Sequence, residues 1–385
     1  MSFYTEEYRR TDVTASEMLD ILEAVQSENM TGIGAFYHEA LQILISKLPN
    51  FVSNRDRLAV QNSVKIIFRG LVTEKYTAAA PEIYAMLLHY DVIHQQNDGF
   101  LMNEAFIALG EINAQDHVPH IVSHLEKFNS EHTPDLANRR KIQLAVTGAI
   151  TALETLKAPE GVKPVFYVSI GWYDKDVRDF ASAALPNIME DPYQTISEII
   201  QSPFNNAWVK TAAWQEMLRT RAPSSSMAKV AAVVLETSYN YYSATPEEQS
   251  VLRILRNNAI DAIRRMGVGD DSVYAYLERT YREAYNVSNT DSEVVQLIIN
   301  TLSAVRTEEA VQLLTAFLRE LHSRRRSGPW GITEREMMQK IIPAIAVTGT
   351  NDRVTMQLLA TISHSSIYTG AEQSWAGSAL RALVK

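Results

Sequence analysis

Residues 174–202 read DKDVRDFASAALPNIMEDPYQTISEIIQS, and their spacing decides the fold. Val177, Phe180, Ala181, Ala184, Leu185 and Ile188 follow i, i+3, i+4, i+7, i+8, i+11, one face of an α-helix. Ala181, Ala183 and Ala184 keep that face small enough for a second helix to approach closely. Asp174 or Asp176 suits the N-cap, where a carboxylate accepts from open backbone N–H groups. Asp191-Pro192 then opens a second helix, Pro192 standing where its missing N–H costs nothing. That helix buries Ile196, Ile199 and Ile200, and neither helix covers its apolar side alone.

Related segments recur outward in both directions. NSVKIIFRGLV, LMNEAFIALGEI, QLAVTGAITALETL, NAWVKTAAWQEML, LRNNAIDAIRRM, VVQLIINTLSAV, MQKIIPAIAVTG and SWAGSALRALVK carry the same small–large ending. Aligned there, they give anchors Leu71, Leu109, Leu153, Leu185, Leu218, Ile263, Leu302, Ile345 and Leu380. The average interval of about 39 residues is that of a two-helix repeat. KAPEG (157–161), RAPSSS (221–226), SATPEE (243–248), GVGDD (267–271) and NVSNTD (286–291) supply turn chemistry between helices. Thr14 or Ser16 caps an opening helix pair over 14–53, and 371–385 reads as a lone last helix that caps the stack. Pro186 and Pro343 fall late in their helices, where they kink or shorten them. No long Pro/Gly/Ser linker divides the chain, so 1–385 reads as one domain.

The pattern Asp174, Val177, Arg178, Ala181, Ala184, Leu185 (D-x-x-V-R-x-x-A-x-x-A-L) resembles the second helix of a HEAT repeat, particularly the bacterial lyase-type variety. The resemblance extends over nearly the whole chain. It implies an all-α fold, a right-handed α-solenoid of about nine helical hairpins, with the second helices lining a concave face. It also implies a non-enzymatic scaffold that binds another protein. Two enzyme families share HEAT-like folds, phycobilin lyases and alkylpurine DNA glycosylases. A glycosylase needs a strongly basic, aromatic-lined groove, and no residue here is diagnostic of a lyase.

Charge narrows the partner. The chain carries a net −9, against a general nucleic-acid or anionic-membrane binder. The nine second helices nevertheless hold 22 Lys+Arg against 19 Asp+Glu, a mildly basic face on an acidic body. Arg139, Arg140, Lys141, Lys175, Lys210, Arg253, Arg256 and Arg264, with Arg178 and Arg265, are candidates to meet an acidic protein segment. Arg178 is also placed to pair with Asp174 or Asp176. A second candidate surface is the 321–333 stretch, LHSRRRSGPWGIT, where Arg324, Arg325 and Arg326 stand beside Trp330. Trp208 and Trp214 read as core, and Tyr281 and Tyr285, at i, i+4, as a half-buried face.

Six of nine histidines lie between 89 and 132: His89, His94, His117, His120, His124 and His132. His117, His120 and His124 share a helix face and are weak candidates for a divalent metal or a pH response. The bland reading is a polar outer face on which His is tolerated, so no cofactor or metal is expected. His38-Glu39 lacks the second His of a zinc-protease helix, Gln42 standing there instead. Gly32-Ile33-Gly34 is a turn, and no phosphate loop or nucleophile elbow occurs. Cysteine is absent, which excludes disulfides and thiol chemistry. That absence leans to an oxidising, periplasmic compartment if a signal was removed, and a cytoplasmic one otherwise. The longest apolar run, AKVAAVVL at 228–235, is too short for a membrane span.

Overall fold

A computed structural model describes residues 2–93, 99–132, 135–243, 245–285, 290–327 and 330–384, without the side chains of 2 and 88–93. Among the described residues the chain is all-α, with twenty helices and no strand. No helix is long and apolar enough to cross a membrane. Contacts divide the chain into two compact units, Met1–Pro192 and Tyr193–Lys385. The division falls inside the 174–202 stretch, so its two helices belong to different units.

The first unit holds α1 (Ser2–Arg9), α2 (Ala15–Ser27), α3 (Gly34–Lys47), α4 (Asn54–Thr73), α5 (Ala80–Ile93), α6 (Phe100–Glu111), α7 (Val118–Ser130), α8 (Leu136–Leu156), α9 (Val162–Ile170) and α10 (Lys175–Ile188). Even-numbered helices pack on one another in order, α2 on α4, α4 on α6, α6 on α8 and α8 on α10. Odd-numbered helices form a second layer, α1 on α3, α3 on α5 and α7 on α9. The second unit repeats this arrangement with α11 (Tyr193–Gln201), α12 (Ala207–Arg219), α13 (Ser224–Asn240), α14 (Pro246–Met266), α15 (Val273–Ala284), α16 (Ser292–Val305), α17 (Glu308–Ser327), α18 (Ile332–Thr348), α19 (Arg353–His364) and α20 (Gly370–Leu383). The last helix is therefore not alone, because α19 precedes it and packs along it.

Several turns share one backbone conformation at a fixed distance from the anchors. Lys75, Asn113 and Lys157 have φ of 48°, 61° and 53°, each four residues after an anchor leucine. In all three copies the next N–H reaches back to that leucine: Tyr76 to Leu71 (2.9 Å), Ala114 to Leu109 (3.0 Å) and Ala158 to Leu153 (3.1 Å). These 6→1 bonds, with a left-handed residue inside them, satisfy carbonyls that a helix end leaves open. A single 3-10 turn follows each time, at Thr77–Ala79, Gln115–His117 and Pro159–Gly161. In the second unit Gly267, Arg306 and Gly349 take positive φ, again four residues after Ile263, Leu302 and Ile345.

Capping follows the sequence closely at Thr14, which accepts from Glu17 N–H while the Glu17 carboxylate accepts from Thr14 N–H. Asp174 occupies the N-cap of α10 but makes no cap hydrogen bond with its side chain. Val177, Ala181, Ala184, Leu185 and Ile188 are buried as their spacing requires, with Phe180 left 37% exposed at the edge of the stripe. Pro186 and Pro343 lie inside α10 and α18. Pro186 comes two residues before the end of its helix, whereas α18 continues five residues beyond Pro343. The anchor of α12 is Met217, fully buried, not Leu218, which is 45% exposed. Its inward face is Ala207, Lys210, Ala213, Trp214 and Met217, a stripe that excludes both Leu218 and Trp208.

α6 and α8 approach closely because glycine lets them. A Cβ on Gly148 would stand 2.7 Å from the Asn103 Cα and carbonyl oxygen, and one on Gly110 2.8 Å from the Ala152 Cα.

Candidate functional site

Most of the basic residues that the sequence marks are engaged within the protein. The Arg139 guanidinium donates to the Trp172 carbonyl at 3.1 Å and to Asp174 at 2.5 Å. Asp174 thus takes Arg139 from α8 as its partner, rather than Arg178 of its own helix. Trp172 in turn donates its indole N–H to the Phe128 carbonyl at 3.3 Å, and Tyr173 donates to Asn129 at 3.0 Å. The α9–α10 turn is therefore fastened to the end of α7 and the start of α8, with the His132 ring against Trp172. Lys175 pairs with Asp179 along α10. Lys141 has an interaction of its own. Arg264 and Arg265 both meet Asp261, whose carboxyl is held below its ordinary range by those arginines against the opposing effect of burial. Arg140 and Arg253 form no ion pair among the described residues.

Arg256 lies flat against Tyr239, its guanidinium carbon 3.7 Å from the ring centroid, with Arg279 at 4.0 Å. It also pairs with Glu283 at 2.9 Å, so α13, α14 and α15 are joined through one tyrosine. Tyr281 and Tyr285 are both buried, more deeply than a half-buried face. Tyr281 stacks on Phe317, and burial pushes its hydroxyl above its ordinary range.

The arginine run is the last turn of α17, not a loop. Arg324 meets Glu320 at 2.9 Å. Arg325 donates to the Ile367 carbonyl at 3.0 Å, with its guanidinium 4.8 Å from Trp330 and 5.9 Å from Tyr368. Buried Glu372 lies 3.9 Å from Arg325 and 3.8 Å from Arg335. Arg326 is exposed. Arg325 and Trp330 thus hold the end of α17 and the chain just before α18 against the α19–α20 turn.

The His117, His120 and His124 rings gather around Tyr84, which stacks on His120 with centroids 4.6 Å apart. Burial, and then His120, lower the His117 pKa from its ordinary value. Among the described residues no group of three or more His, Cys, Asp or Glu is arranged to hold a metal. The His89 side chain and all of His94 lie outside the described residues.

One place in the second unit has the composition of a binding site. Lys210, on the inward stripe of α12, is fully buried. Its ammonium donates to the carbonyls of Ile200 (2.5 Å) and Ser202 (2.7 Å), and it stands 5.0 Å from the Tyr241 ring centroid. Asn205 donates to the Ile199 carbonyl at 2.8 Å, and Asn206 caps α12 by accepting from Val209 N–H at 3.0 Å. Together they tie down the orphan carbonyls of α11 and fix the 202–206 loop. Burial lowers the Lys210 pKa to about 8. Lys210 is thereby removed from the surface candidates.

Around this fixed loop, large apolar side chains face solvent. Phe204 is 95% exposed and Tyr242 88%, and Trp208, expected in the core, is 51% exposed. Tyr242 also borders a depression of about 470 Å³, lined with it by Gln201, Pro203, Lys210, Glu236, Asn240 and Tyr241. Phe204 was not legible from the sequence, since a phenylalanine beside a helix end reads as core. Its one available signal was position, in a Ser-Pro-Phe-Asn-Asn connection with no apolar neighbour. A second depression, of about 530 Å³, runs between α16 and α18, where Glu336 and Lys340 contribute opposite charges.

No protein-family model matches the chain, and no curated protein matches it.

Proposed function

We propose that the protein is a non-enzymatic scaffold built of stacked HEAT-type helical hairpins, and that it binds another protein through the Phe204–Trp208–Tyr242 surface. The stacking supports the first part. Left-handed residues recur four positions after an anchor, and within each unit the even-numbered helices pack on one another in order. The observation that carries the second part is the exposure of Phe204, Trp208 and Tyr242, with a depression lined by Tyr242 and by Pro203, the residue before Phe204. Aromatic side chains held in solvent are the anchors from which protein interfaces draw most of their energy. The basic second helices contribute less than their composition implies, because most of their arginines and lysines are already paired.

The test is a comparison of full-length wild-type bait with a Phe204→Ser, Trp208→Ser bait in lysate of the source organism. A protein retained by the first and lost by the second, and binding the purified wild type directly, supports the reading. Equal retention by both baits refutes this surface as the binding site.

A further inference from the structure

We propose that the depression at Tyr241–Tyr242 receives an arginine side chain of the partner protein, an inference that rests on the protein-binding reading of this surface. Two charged side chains line the depression, Lys210 and Glu236. Lys210 points its donors at Ile200 and Ser202, leaving none of its surface to solvent. Glu236 is exposed and forms no ion pair among the described residues. The charged group that a ligand in the depression can touch is therefore the Glu236 carboxylate, with the Lys210 ammonium buried beneath the wall. Beside it stand the amides of Gln201 and Asn240, whose carbonyl oxygens accept, and the exposed ring of Tyr242.

A carboxylate next to an aromatic face is the environment a guanidinium prefers, because its plane stacks while its edge donates. The protein uses the same chemistry in the last turn of α13. There the Tyr239 ring is covered by its own Arg256, which pairs with Glu283. At Tyr242, among the described residues, no cation lies over the ring. Tyr239, in the last turn of α13, thus has its ring filled internally, whereas Tyr242, two residues past the end of that helix, has an open one. The sign of this site is the reverse of the acidic partner that the composition of the second helices implies.

The experiment uses the full chain labelled on its tyrosine rings, with the Tyr241 and Tyr242 signals assigned by Tyr→Phe variants. The probe is the tripeptide acetyl-Gly-Arg-Gly-amide. The comparison probes carry neutral citrulline, or lysine, in place of arginine. The arginine peptide should shift both ring signals with half-saturation on the order of millimolar, as befits a single side chain. The citrulline peptide should not, and Glu236→Gln should weaken the arginine peptide at least about tenfold. Equal shifts by citrulline or lysine, an unaffected Glu236→Gln variant, or no shift at a peptide concentration on the order of tens of millimolar would overturn the assignment. The two readings fail separately. A partner lost by the Phe204→Ser, Trp208→Ser bait but kept by Glu236→Gln leaves the scaffold standing and removes the arginine. A partner indifferent to both baits removes the scaffold site itself.

Discussion

The Lys210 ammonium lies 2.7 Å from the Ser202 carbonyl oxygen, with no part of the lysine left exposed. A cation at the end of α11 compensates carbonyls that the helix leaves open, at the expense of desolvating the charge. Replacing Lys210 by Met keeps the packing and strands the Ile200 and Ser202 carbonyls. We expect a loss of about 1–3 kcal/mol, read by urea unfolding.

The same residue sets a pH dependence. Its pKa is about 8 in the folded protein and 10.5 when unperturbed. Between those values the unfolded chain binds more protons, so the Lys210 contribution to stability rises with pH. The difference in unfolding free energy between wild type and Lys210→Met should therefore grow from pH 8 towards pH 9.5, by at most about 1.4 kcal/mol per pH unit. A neutral amine retains two N–H donors, one for each carbonyl. A flat difference would remove the assigned cause.

Lys75 has φ of 48° and an exposed side chain. Glycine there relieves the left-handed strain, so Lys75→Gly should raise stability by about 0.5–1 kcal/mol. Gly349 sits at the corresponding position, φ 67°, with nothing within 4 Å of a built Cβ. Gly349→Ala should lower stability by a similar amount, about 1 kcal/mol, through backbone strain alone. Thermal unfolding of the two variants checks both signs together.

Gly148→Ala places a methyl 2.7 Å from the backbone of Asn103. Backbone cannot turn aside as a side chain can, so α6 and α8 must separate. The expected loss is about 2–3 kcal/mol. An alanine accommodated with no change in the unfolding midpoint would contradict the close approach.

Arg139 and Asp174 meet with side chains 31% and 56% exposed. Their coupling in a double-mutant cycle of Arg139→Met with Asp174→Asn should stay below about 1 kcal/mol. Trp172→Ala should cost more than either substitution, about 2 kcal/mol, because the ring and its bond to Phe128 fasten the turn. A coupling larger than the Trp172 effect would shift the weight of the clasp to the ion pair.

The helical character and much of the period were readable, because the burial of Val177, Ala181, Ala184 and Leu185 follows directly from their spacing. The extra pair at the N-terminus was half visible, since Thr14 announces its cap while α1 carries no comparable signal. What was not readable has a common cause. Lys210 sits on an inward stripe where its residue type argues for the surface, and its role depends on carbonyls eight and ten positions earlier. Trp208 shows the converse, an apolar side chain turned outward one residue from buried Ala207, and Phe204 faces solvent from the turn before the helix. Arg139, Arg256 and Arg325 were legible as charges, but their partners stand 27 to 42 residues away and belong to neighbouring hairpins.

The turns after Leu71, Leu109 and Leu153 share the same main-chain bond back to the leucine, and residues as unlike as Lys75, Asn113 and Lys157 occupy the same left-handed position. A corner specified by the peptide backbone places little selective demand on the side chains that pass through it. Such turns accept very different residues while keeping their geometry, so their likeness shows in torsion angles where the letters show little of it.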